Sequence, residues 1–332
     1  GQDMVQSGED RAIAQSRAAM AFLGGMAGLA LWLLAEVLPD VQPNPRLYVA
    51  LFAFTAAFFG MALALSGPAS LPRSLGAAFT VSVPATALLS LAAFNLEAFE
   101  PKSGYEFLSE ETRAMQDDEF ENPGMVAVER GEALYQEHRP DEEYACVDCH
   151  DSDGGKLDKQ KLASYPLFDP NFGGLVTLQD RIGHCWEINM DRFPLEYDHP
   201  DLILLETYIR NLARGETVNV ATYGPVSELL KEAEQLYRTR YGQIDMACHH
   251  CHVQHQGQML RGQKLSQGQA NGFPEYRLAK GNITSLHQRL RQCFVSFRAE
   301  PFAPGSREFK LLELYLMSRG NGLKIETPAV RF

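Results

Sequence analysis

Two five-residue stretches carry side chains that could bind a metalloporphyrin covalently, Cys146-Val147-Asp148-Cys149-His150 and Cys248-His249-His250-Cys251-His252. In a Cys-x-x-Cys-His sequence the two thiols form thioether bonds to the porphyrin, and the following imidazole binds the iron from one side. A single copy would leave a dithiol redox pair or half a zinc site open. Two copies point to two covalently bound haem c groups, attached through Cys146, Cys149, Cys248 and Cys251, with His150 and His252 on the irons.

Each iron needs a ligand on its other face. Cys185 and Cys293 lie 35 and 41 residues after His150 and His252 and are the residues common to both halves. Met190 is an alternative in the first half; in the second, Phe297 and Arg298 fill that region and no methionine does. A disulfide between Cys185 and Cys293 is the other use of the pair in an oxidising compartment. Arg181 and Arg289 stand four residues before these cysteines, a spacing that puts both side chains on one helical face. A guanidinium there favours thiolate over thiol and can hold an oxyanion at two points. For Arg181 a haem propionate is an equal alternative.

These residues repeat because the chain does. An offset of 102 superimposes the two pentads and brings Leu134-Tyr135 onto Leu236-Tyr237. Further on, Tyr165-Pro166 answers Phe273-Pro274, Arg181-Ile182 answers Arg289-Leu290, and Leu205-Glu206-Thr207-Tyr208 answers Leu312-Glu313-Leu314-Tyr315. In each repeat a helix precedes the pentad, a loop rich in Gly, Pro and Asn covers the haem, and a helix closes the unit over 202–214 and 308–319.

Ahead of the repeats, three apolar stretches (18–38, 47–66 and 75–95) each approach the roughly 20 residues that cross a bilayer as helix. The expected fold class is therefore all-α: three transmembrane helices followed by two tandem cytochrome c-like haem domains related by internal duplication. The expected divisions are a membrane anchor over 1–96, an acidic linker over 97–124, and haem domains over 125–217 and 218–332. All nine histidines follow residue 137, so the apolar region offers no imidazole to a b-type haem. Haem c is attached outside the cytoplasm, which places the repeats on the periplasmic side of the inner (cytoplasmic) membrane, among lipid and other membrane subunits.

The formal charge of −12 argues against a nucleic-acid partner. It is unevenly spread: residues 151–198 hold five Lys or Arg and nine acids, whereas 253–300 hold seven and two. A basic surface on the second repeat of an acidic protein would draw a small anion or dock an acidic partner.

Over roughly 125–332 the chain resembles the dihaem A subunits of the Sox sulfur-oxidation cytochromes (SoxA). The resemblance is carried by both pentads, Phe273-Pro274-x-Tyr276-Arg277, Arg289-x-x-x-Cys293, Gly305-Ser306, Leu312-Glu313-x-Tyr315-Leu316 and Ile325-Glu326-Thr327-Pro328-Ala329-Val330-Arg331. It implies His/Cys ligation of both haems, and a reactive Cys293, persulfidated in that family, beside a required Arg289 and opposite His252. It also implies L-cysteine S-thiosulfotransferase chemistry, the oxidative joining of thiosulfate to a carrier-protein cysteine. The implied partners are a SoxX-like monohaem cytochrome and a SoxYZ-like carrier. The three apolar stretches depart from that family. Two other functions fit the residues: a thiosulfate dehydrogenase making tetrathionate, and a membrane-tethered dihaem electron-transfer subunit of a respiratory or photosynthetic complex.

Overall fold

The computed structural model describes residues 99–140 and 144–332, nearly all within the unit Glu100–Phe332. Its longest helices, Pro200–Leu212 and Val226–Arg238, have 13 residues, which at 1.5 Å per residue is about 20 Å, short of a bilayer core.

The membrane-anchored, all-α expectation is accordingly corrected. Among the described residues no helix is long and apolar enough to cross a membrane. Among the described residues, seven short strands in three small sheets interleave the helices. The stretches 18–38, 47–66 and 75–95, on which the three transmembrane helices and the inner-membrane placement rested, lie outside the described residues.

Each repeat is built on a crossing of its first and last helices. In the first, Met125–Gln136 crosses Pro200–Leu212 at Gly131, where a Cβ would collide with the Leu204 carbonyl oxygen and the Tyr208 side chain. The close approach brings the Tyr135 and Tyr208 rings to 5.2 Å at 55°. In the second, Val226–Arg238 crosses Arg307–Ser318, and Tyr237 and Tyr315 meet at 5.0 Å and 49°. Ala233, fully buried, takes the place of Gly131. Two apolar cores result, one per repeat.

A hairpin then leads into the helix that carries the second cysteine. In the first repeat β1 (Leu167–Asp169) pairs with β2 (Gly174–Val176), and Thr177 caps the helix Leu178–His184 through the Asp180 backbone N–H. In the second, β5 (Glu275–Arg277) pairs with β6 (Asn282–Thr284), and Ser285 caps Leu286–Ser296 through the Gln288 N–H. Both cysteines fall eight residues after their cap. Cys185 opens a π-helical turn, Cys185–Asn189, while Cys293 stays within regular helix. The remaining strands are the β3 (Met259–Leu260) and β4 (Gln263–Lys264) hairpin and β7 (Ala329–Arg331), which runs parallel beside β5.

Residues 97–124, read as a linker, hold the helix Glu110–Asp117 capped by Ser109. Gln116 on it is buried and accepts from the Val330 N–H at 3.0 Å, and Asn122 donates to the Pro328 carbonyl at 3.0 Å. These bonds tie the stretch to the C-terminal strand of the second repeat.

Candidate functional site

One cavity of about 550 Å³ in the second repeat gathers Cys248, Cys251, His252, Arg289 and Cys293. Its apolar walls come from Leu286, Leu290 and Phe294 of the cysteine-bearing helix, Leu312 and Leu316 of the closing helix, and Phe273 from the loop before β5. Arg289 precedes Cys293 by one turn, so both side chains reach the same space.

His252 is oriented for a metal. Its Nδ1 lies 2.9 Å from the Ser266 carbonyl oxygen, a bond that holds the tautomer with Nε2 free to ligate. Burial pushes the imidazole down to about 4, so it is neutral near pH 7. Gly268, at φ +82°, lets the backbone pass where a Cβ would sit 2.9 Å from the His252 ring. Burial also pushes the Cys248 thiol up to about 12 and raises the Cys251 thiol; in the first repeat it pushes Cys146 up to about 11. Among the described residues no group of three His, Cys, Asp or Glu converges in the manner of a zinc cage, and all six cysteines are free, so no disulfide joins Cys185 to Cys293. A wide apolar cavity, a carbonyl-anchored imidazole and two protonated thiols suit a covalent porphyrin.

In the first repeat Cys146, His150 and Cys185 are partly buried and Cys149 is exposed. The Met190 Sδ packs 4.0 Å from Cys146 Sγ, beside an expected attachment thiol. Burial, and then Lys156, hold His150 below its ordinary range. Burial raises the Cys185 thiol, and Arg181 opposes that shift without overturning it. The arginine therefore acts on the thiol in the direction its spacing implied, but desolvation wins.

The two helix arginines have different surroundings. Arg181 Nη2 lies 3.1 Å from Asp169 Oδ2, and the guanidinium sits over the Phe172 ring at 4.2 Å. The Arg289 guanidinium has no hydrogen bond or ion pair among the described residues and faces the cavity. Sequence reasoning missed Ser266, Gly268 and Asp169; only the last had a legible signal, an acid standing where the second repeat has Arg277.

Duplicated helix crossings around Cys-x-x-Cys-His segments define a dihaem c-type cytochrome. A family model described as SoxA/TsdA, cytochrome c domain, matches residues 130–218 and 232–325. The L-cysteine S-thiosulfotransferase subunit SoxA of Rhodovulum sulfidophilum is 40% identical over 233 residues, 70% of this chain and 80% of that protein. The corresponding subunit of Paracoccus pantotrophus is 36% identical over 238 residues, 69% and 78% of the two chains. A chain of the SoxXA crystal structure from P. pantotrophus superimposes with a TM-score of 0.66 at 34% identity, covering 72% of this chain and 90% of its own. The chain belongs to the SoxA family of L-cysteine S-thiosulfotransferase subunits, sulfur-transferring oxidoreductases with covalently bound haem c.

Proposed function

We propose that the second cavity is the reaction centre, where thiosulfate is joined oxidatively to a cysteine of a carrier protein. The observation that carries this reading is the Arg289 guanidinium, one turn before Cys293, lining the same cavity and unneutralised. In the net reaction a sulfur–sulfur bond forms between the sulfane sulfur of thiosulfate and the carrier thiol. The thiol proton is released, and two electrons leave. Arg289 grips the sulfonate oxygens at two points and orients the sulfane end, while Cys293 presents its sulfur beside it. Haem would be held by Cys248, Cys251, His252 and Cys293, and when bound it would supply the electron acceptor.

The first repeat would hold its haem through Cys146, Cys149, His150 and Cys185, and Arg181, paired with Asp169, has a structural role. The similarity to a SoxXA structure supports a SoxX-like monohaem cytochrome as partner, and the basic second repeat suits an acidic, SoxYZ-like carrier. A turnover assay with thiosulfate, a carrier thiol and a cytochrome acceptor tests the reading: the product should be a thiosulfonated carrier cysteine. Tetrathionate formed without the carrier would instead support the thiosulfate dehydrogenase reading, and no thiosulfate dependence would support a pure electron carrier.

A further inference from the structure

The repeats differ at one charged position that decides what the helix arginine can bind. Asp169 and Arg277 occupy the same place, the third residue of the first hairpin strand, in matching register with Gly174 and Asn282. Asp169 to Arg277 and Arg181 to Arg289 are both steps of 108 residues. Where the first repeat has a carboxylate 3.1 Å from its helix arginine, the second has at the equivalent strand position a guanidinium that lines the same cavity as Arg289.

Arg277 and Arg289 line the cavity that holds Cys293. Arg277 is only 8% exposed. Its Nη1 donates to Glu275 Oε1 at 2.9 Å, but its Nε is buried without a partner among the described residues. Glu275, which pairs with Arg277, lines the same cavity, so what stays uncompensated is the buried Nε donor of Arg277 and the unpaired guanidinium of Arg289; a buried donor left unsatisfied is costly. An anion between them compensates both. Lys280, on the turn after β5, is held below its ordinary range by burial and then by Arg277 and Arg289, in keeping with an excess of positive charge here.

We propose that Arg277 and Arg289 together form a two-guanidinium oxyanion site on the second cavity, taking a sulfur oxyanion or a carboxylate across the pair. The inference rests on the reading of this cavity as the reaction centre. The shared chemistry has two sources, thiosulfate and a carboxylate of the cofactor, and the test separates them.

The test uses Arg277→Gln and Arg277→Lys in the haem-loaded complex with its cytochrome partner, comparing equilibrium thiosulfate binding by calorimetry and the pH dependence of each haem's midpoint potential. If thiosulfate bridges the pair, Arg277→Gln weakens its binding roughly ten- to a hundred-fold, and Arg277→Lys restores only part of that. If a cofactor carboxylate bridges it, thiosulfate binding is unchanged, and the potential of the second haem gains a new pH dependence as the freed carboxylate titrates. Unchanged binding together with unchanged pH dependence, at full haem content, overturns the proposal. Should Arg277→Gln fail to load haem, Arg277→Lys decides by the same two readouts. Binding is measured without a carrier, so a complex that binds through the pair yet does not turn over would sink the conjugation reading and leave the site standing.

Discussion

Arg210 spans the junction between the repeats: its Nη2 lies 3.7 Å from Glu313 Oε1, while its Nε holds Glu206 on its own helix at 3.3 Å. The two glutamates are equivalents under the duplication, brought face to face around one cation. Gly305 N–H donates to His287 Nδ1 at 3.1 Å, and the other ring nitrogen, Nε2, lies 3.2 Å from Glu313 Oε2. All four side chains are buried, and Tyr197 stacks on His287 at 4.5 Å. Removing Arg210 leaves two carboxylates buried without their cation. Arg210→Met should therefore destabilise the protein by about 3–5 kcal/mol in chemical denaturation. A loss under about 1 kcal/mol would mean the junction is held by its apolar neighbours alone.

Glu206 gives that junction a pH dependence. Its folded-state pKa is raised above the ordinary 4.5, chiefly by burial, with Arg210 opposing and Glu313 reinforcing the shift. The folded state thus binds the proton more tightly than the unfolded chain. The cost of ionised Glu206 is absent below 4.5 and grows as pH rises through the raised value. Glu206→Gln should flatten the fall in stability above pH 4.5, read from denaturation midpoints at successive pH values; an unchanged slope would assign the effect to other groups.

The helix crossing of the first repeat makes a steric prediction. Because a Cβ at Gly131 would meet the Leu204 carbonyl and Tyr208, Gly131→Ala should cost about 1–3 kcal/mol. The loss should show in denaturation and in haem content of the first repeat, with the second haem retained. Equal loss at both haems would show that the crossings are not independent.

The duplication made much of this legible. Matching tyrosines at Tyr135 and Tyr237, and the Leu-Glu-x-Tyr segments, marked the first and last helices of each repeat, but not that they cross at Gly131 and Ala233. The hairpins were not legible, since strands of three residues leave no alternation to read. The helix Glu110–Asp117 was hidden in an acidic stretch, because what fixes it is distant: Gln116 and Asn122 bonding to Val330 and Pro328. The second cysteines could be matched by offset, and so could the exchange of Asp169 for Arg277, but its meaning needs the hairpin that sets Asp169 against Arg181 and puts Arg277 on the cavity of Arg289.

The ligand assignments predict spectra. With Cys185 and Cys293 opposite the histidines, both oxidised haems should be low-spin and lack the far-red methionine-to-iron band. Met190→Leu should leave both spectra unchanged, since its sulfur packs on Cys146 at 4.0 Å. Replacing Cys185 should alter one haem and leave turnover largely intact. A histidine–methionine signature at either haem would defeat the assignment.

The most direct test of Cys293 and Arg289 as the reaction centre compares two arginine variants. Arg289→Lys keeps the charge but loses the planar two-point grip, whereas Arg181→Lys alters a residue already paired with Asp169. Thiosulfate-dependent turnover with a carrier thiol would be measured on both at matched haem occupancy. Arg289→Lys should lower the rate roughly ten- to a hundred-fold, the equivalent of one charge-assisted contact of about 1.5–3 kcal/mol that tightens in the transition state, with Arg181→Lys near the parent. Equal losses in the two variants, or no dependence on thiosulfate in the parent, would contradict the assignment of the second cavity.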